Sequence, residues 1–165
     1  MARMTSKGLD GLNKTLIGLA GAGYGIAKMA VYDGAKVITD EVRARVKRLE
    51  VTEPGRPKDT DKIYGFVTDL ERNDLEAGLG IARITYDDGK SQVRTVIGFA
   101  GYGRRKTRRY RRGLPNALLA RSIAKPSKLR EQNKFTENAM KKARKKAVAA
   151  MVSTGEKAIA KIIAE

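Results

Sequence analysis

The sequence predicts an α+β fold in which two long helices pack against a small antiparallel β-sheet, with a helical N-terminal part and a long C-terminal helix. Three observations predict it. Val31, Ala35, Ile38, Val42, Val46 and Leu49 form an apolar stripe at helical spacing, flanked by Lys36, Asp40, Arg43 and Lys47. Phe135, Ala139, Ala143, Ala147 and Met151 recur every four residues in a second long stretch. Between them lie two runs rich in β-branched and aromatic residues, joined by Asp87-Asp88-Gly89. At 165 residues the chain reads as one domain, 1–165, large enough to bury a core without staples.

In chain order, residues 1–7 are short and polar and are expected to fray. Leu9, Leu12, Leu16 and Leu19 then predict a first helix of roughly three turns. Gly18, Gly21, Gly23 and Gly25 weaken it, each costing about 1 kcal/mol against Ala in a helix interior. A bend between two helices is therefore expected at Gly21–Gly25. The same glycines only superficially match a dinucleotide fingerprint, since the sixth position is Ile26 and no strand precedes them. A long amphipathic helix follows from Ile26 to Leu49. Glu53-Pro54-Gly55-Arg56-Pro57 cannot continue it, because Pro lacks the N–H and disfavours helix before itself. Residues 52–61 read as an exposed, flexible loop.

Asp69 to Glu76 is acidic and suits one or two helical turns. Leu79 to Tyr86 and Gln92 to Phe99 make a hairpin, with Gly89 tolerating positive φ at the turn. Residues 101–113 form a basic loop. Leu114 to Ile123 fits a strand or a helical turn equally well. After Lys125-Pro126-Ser127, a helix runs from Glu131 to about Val152, with a kink expected at Ser153-Thr154-Gly155. Ala158, Ile159, Ile162 and Ile163 then need cover, because full burial of an isoleucine is worth roughly 1.5–3 kcal/mol. The C-terminus is expected to dock.

Composition excludes most chemistry. The chain has no Cys and no His, which removes disulfides, thiolate nucleophiles, His-containing triads and the usual zinc sites. Absence of Cys fits a reducing compartment. Apolar runs fall far short of the roughly 20 residues that span a bilayer. Asp10, Asn13 and Lys14 interrupt any signal-peptide core. A soluble protein made in the cytosol, with no membrane partner, is the expectation. The acid pairs Asp87/Asp88 and Asp74/Glu76 are Mg²⁺-compatible in principle. The first suits a hairpin turn and the second a solvated face, so no catalytic residue, metal site or cofactor is assigned.

The net charge of +17 is uneven: residues 101–146 carry 17 Lys/Arg against Glu131 and Glu137, leaving the rest of the chain almost neutral. Its densest part is Arg104-Arg105-Lys106-Thr107-Arg108-Arg109-Tyr110-Arg111-Arg112. Such a run is solvated, disordered or paired with anions. Three readings stay open: a nucleic-acid segment neutralising phosphates, a loop meeting the acidic patch Asp69, Glu71, Asp74 and Glu76 of a neighbouring copy, or a solvated loop without partner. Because exposed charges contribute little to stability, replacing all six arginines with Ser is expected to leave folding nearly intact.

Several segments resemble one known family. Gly8-Leu9-Asp10-Gly11-Leu12 and Gly34-Ala35-Lys36-Val37-Ile38 in the helical half are similar to the start of the tail-completion or neck proteins of long-tailed (siphovirus-type) bacteriophages. These are also called minor tail components or head-to-tail joining proteins. Thr68-Asp69-Leu70, the stretch Gly113 to Ile123 with its Asn116-Ala117-Leu118-Leu119-Ala120-Arg121, and Lys134-Phe135 opening an Ala/Lys-rich helix extend the resemblance over most of the chain. The family's Glu-Phe-Gly-Thr is replaced here by Ala124-Lys125-Pro126-Ser127, and its Pro-Phe-x-x-Pro-Ala helix entry is mostly absent. The resemblance implies a strand at Leu114–Ile123 and a structural, non-enzymatic virion protein. It further implies a homo-oligomeric ring between the portal or connector (adaptor or stopper) side of the head and the tail terminator or tail tube, around a DNA channel. Arg104, Arg105, Lys106, Arg108, Arg109, Arg111 and Arg112 would then face DNA non-specifically, or acidic neighbours. The alternative is a stand-alone nucleic-acid-binding protein using an arginine-rich loop.

Overall fold

The structure, a computed structural model, describes residues 7–51, 67–87, 92–106, 108–125 and 132–164, with residues 7–15 described in backbone only. The expected loop at 52–61, the turn residues Asp88 and Gly89, and residues 1–6 lie outside the described residues.

Two antiparallel helices dominate: α1 (Lys7–Lys47) and α4 (Phe135–Ala164). Their pairing runs from Gly18 against Ile162, through Asp33 against Thr154, to Glu41 against Lys142. Small residues let the axes approach. Gly34 and Ala35 on α1 are buried, as are Ala139, Ala143 and Ala147 on α4. The two apolar stripes read from the sequence are the two facing surfaces.

Between them the chain forms α2 (Asp69–Gly78), β1 (Leu79–Ile81), β2 (Thr85–Asp87), β3 (Gln92–Arg94), β4 (Ile97–Phe99) and α3 (Asn116–Ala124). The expected hairpin is present as two short ladders. Leu79 pairs with Phe99 and Ile81 with Ile97, then Thr85 with Arg94 and Asp87 with Gln92. Ala82, Arg83 and Ile84 on one side oppose only Thr95 and Val96 on the other, a bulge that shifts the register by one residue. Ala82 N–H donates to Val96 O at 2.8 Å and the Thr95 hydroxyl to Ala82 O at 2.7 Å, so the step is bonded.

One core collects Val42, Val46, Leu49, Val67, Leu75, Leu79, Leu119, Ala120, Ile123, Phe135 and Ala139. Phe99 meets Phe135 edge-on at 6.1 Å between ring centroids. The core therefore sits where the end of α1 and the start of α4 meet α2, α3 and the β1–β4 ladder. Val67 forms a parallel bridge with Val51, closing the chain on either side of the intervening segment. The β2–β3 ladder reaches farther along α1, where Tyr86 meets Tyr24 edge-on at 5.7 Å.

Three local expectations are corrected. The two helices expected on either side of Gly21–Gly25 are one: α1 is continuous, because its pairing with α4 compensates for the glycines' low helix propensity. The implied strand at Leu114–Ile123 is the helix α3. Its buried residues Asn116, Leu119, Ala120 and Ile123 follow a helical period, and Pro115 stands at its N-terminal boundary. The helix expected to run to about Val152 continues through Ser153–Gly155 to Ala164, and the Thr154 hydroxyl donates to Asp33 Oδ2 across the helix pair at 2.6 Å. Docking of the C-terminus is partial. Ile162 lies against α1, whereas Ile163 is 60% exposed.

Candidate functional site

The basic segment leaves β4 and returns at α3, and its two ends are tied together. Tyr102 bridges Pro115, Gly103 N–H donates to Leu114 O at 2.8 Å, Leu114 N–H to Arg105 O at 2.9 Å, and Asn116 N–H to Gly101 O at 3.1 Å. Gly113 has φ +110°, and a Cβ there would collide with Gly103 O, so the root of the loop requires glycine.

Beneath this root lies α2. Its start is fixed by a capping box: Glu71 N–H donates to Thr68 Oγ1 and Thr68 N–H to Glu71 Oε2, both at 3.2 Å. The helix thereby presents Glu71 and Asp74 to the loop. Asp74 Oδ2 accepts the Arg104 backbone N–H at 2.7 Å and Oδ1 accepts Arg104 Nε at 2.8 Å. Glu71 Oε1 accepts from Arg105 Nη1 at 2.7 Å. The carboxylates are nearly sealed, at 2% side-chain exposure for Glu71 and 10% for Asp74, while their guanidinium partners are more than half exposed. Asn116 completes the joint from α3, donating through Nδ2 to Asp74 O and Ala100 O at 3.1 and 2.9 Å.

This geometry divides the predicted cations into two groups. Arg104 and Arg105 are anchors that neutralise buried acids, so the expectation that all six arginines are dispensable for folding is corrected for these two. Lys106, Arg108, Arg109, Arg111 and Arg112 are exposed, and none forms an ion pair among the described residues. The Arg109 guanidinium lies 5.8 Å from the centroid of the Tyr110 ring, within cation–π range.

The predicted acidic patch is likewise used within the chain. Besides Glu71 and Asp74, Glu76 pairs with Lys47 at 3.0 Å and Asp69 with Arg72 at 2.6 Å. Asp87 meets Arg94 at 3.4 Å. The four candidate interface acids are therefore paired within their own subunit: Glu71 and Asp74 with the basic loop, Glu76 with α1 and Asp69 within α2. Sequence reading missed Asn116 and the anchoring role of Arg104 and Arg105. The Thr68-x-x-Glu71 spacing was the available signal, since a capping box fixes which way α2 points its acids.

On α4, Lys141, Lys142, Arg144, Lys145 and Lys146 are exposed. Lys142 reaches Glu41 on α1 at 3.1 Å, and its hydrogen bond, assisted by the charges of Lys142 and Arg45, holds the Glu41 carboxyl below the usual carboxylate range. An apolar cleft of about 520 Å³ lies between the helix pair and β3–β4, lined by Val31, Ile38, Val96, Met140 and Met151 among others. No helix among the described residues is long and apolar enough to cross a membrane. No known protein family, curated protein or solved structure matches the chain.

Proposed function

We propose that the chain is a non-catalytic structural protein of the neck of a long-tailed bacteriophage, made in the host cytoplasm and incorporated into the virion. In this reading it is one subunit of the ring that joins the portal or connector side of the DNA-filled head to the tail terminator or tail tube. The resemblance of its segments suggests the class. The observation that supports an assembling role is the far end of the helix pair. There Leu16, Ile17, Tyr24 and Tyr32 on α1 and Val148, Val152, Ile159 and Ile163 on α4 are exposed, Ile17 at 72%. Large exposed apolar surface marks contact with another molecule.

Charge favours a second copy as the molecule that covers this arm. Residues 7–33 hold only Lys7, Lys14, Lys28, Asp10 and Asp33, and residues 148–165 only Lys157, Lys161, Glu156 and Glu165. The arm is nearly neutral on a chain of +17, so copies can meet there without the repulsion that their basic regions impose. The test is electron microscopy of the purified protein, alone and with its connector. Rings are the expected result; monomers that never associate with phage structural proteins would overturn the proposal. The exposed loop cations favour one rival, a stand-alone nucleic-acid-binding protein, which tight and sequence-selective binding of free DNA or RNA would promote.

A further inference from the structure

The basic loop has two parts with different partners, and the structure limits what the outer part can bind. Its inner pair, Arg104 and Arg105, is spent on Asp74 and Glu71. The outer five, Lys106, Arg108, Arg109, Arg111 and Arg112, have no carboxylate partner among the described residues and are open to an anion from outside the chain.

Among the described residues a second copy offers a poor source of that anion. Asp69, Glu71, Asp74 and Glu76 each already pair with a cation of their own subunit. Asp40 pairs with Arg43, Glu41 with Arg45 and Lys142, and Asp87 with Arg94. Asp33 accepts the Thr154 hydroxyl. The described exposed carboxylates with no such partner are Glu50, Glu137 and Glu156, which stand singly on different parts of the fold. Among the described residues no acidic cluster is left to face five cations.

We infer that the loop tip is a site for the sugar–phosphate backbone of duplex DNA, with Arg108, Arg109, Arg111 and Arg112 as its principal cations. Duplex DNA carries one negative charge per roughly 1.7 Å of axis, a density that suits five cations within seven residues. The bonded root holds the tip in place, through Gly103, Arg105, Leu114 and Asn116. No carboxylate among the described residues pairs with the tip cations Lys106, Arg108, Arg109, Arg111 and Arg112, and base readout needs fixed, bidentate donors. Recognition is therefore by charge and independent of sequence. The site rests on the neck reading only for the origin of the DNA, the genome passing through the ring.

The test uses the full-length protein and a fluorescent 20-base-pair duplex, titrated at several salt concentrations between roughly 50 and 200 mM. With four to five phosphates engaged, log Kobs should fall against log salt with a slope of about −4, and two unrelated duplex sequences should bind alike. The variant Arg108→Ser/Arg109→Ser/Arg111→Ser/Arg112→Ser should melt at the wild-type temperature and lose about 3 to 4 from that slope. Absence of salt-dependent binding would overturn the inference. So would unchanged binding by the variant, or loss of binding only in Lys141→Ser/Lys145→Ser/Lys146→Ser on α4. A tip variant that fails to self-associate yet binds duplex normally would assign the tip to an acidic protein surface instead. Duplex binding by a protein that never forms rings would keep the site and remove the neck reading; rings without duplex binding would do the reverse.

Discussion

Each oxygen of the Glu71 carboxylate has its own donor: Oε2 accepts the Thr68 N–H at the start of α2, and Oε1 accepts from the Arg105 guanidinium. With so little of the side chain in contact with water, removing the guanidinium takes an ion-pair partner from a buried charge. Breaking such a pair from one side is far more costly than losing a surface charge. Arg105→Ala should therefore lower unfolding stability by roughly 3 kcal/mol in urea denaturation, whereas Arg112→Ala should change it by less than about 0.5 kcal/mol. Equal effects would refute the division of the loop into anchors and tip. At the helix pair, Lys142→Met should raise the Glu41 pKa toward the ordinary carboxylate value, followed by NMR titration of the carboxyl carbon. Because that pKa is lowered in the fold, its contribution is present above the unfolded-state value and is lost as pH falls through the lowered one. Both charged groups, and the acidic patch as a possible partner of the basic loop, were legible in the sequence; that the pairing lies within one chain was not. Arg104 and Arg105 stand 30 and 34 residues from the acids they neutralise, and no local pattern encodes that distance.

Helix α1 passes through Gly21, Gly23 and Gly25 without a break, and a Cβ at any of the three meets no atom within 4 Å. These glycines thus weaken the helix without making room for a neighbour. Gly21→Ala/Gly25→Ala should stabilise the protein by about 1–2 kcal/mol in total, read as a higher melting temperature; destabilisation would mean that the site needs glycine conformations this helix does not use. The long amphipathic stretches were legible because their periods are long and regular. The hairpin was legible from its β-branched runs, but its bulge was not, since one extra residue in Ala82–Ile84 leaves no compositional mark. Leu114–Ile123 was ambiguous for a physical reason. Its ten residues, with Leu114, Ala117, Leu118, Leu119, Ala120 and Ile123 apolar, satisfy either period, and only the packing of Leu119, Ala120 and Ile123 into the core selects the helix.

The whole molecule separates three surfaces: a packed core, a basic loop rooted on α2 and α3, and a nearly neutral two-helix arm with exposed Ile17 and Ile163. The α+β architecture followed from the sequence because two apolar stripes and one hairpin leave few other ways to bury themselves. The arm's exposure was less legible, because periodicity identifies an apolar face without identifying what covers it. If copies cover it in a ring, charges placed on the arm should block assembly and spare the fold, whose core lies at the other end of the helix pair. The most direct measurement is electron microscopy of the purified protein mixed with the connector assembly, comparing wild type with Ile17→Lys/Ile163→Lys. Ring density stacked on the connector is expected for wild type, and folded monomers leaving the connector bare for the variant. Bare connectors with wild type, or rings unchanged in the variant, would contradict that expectation.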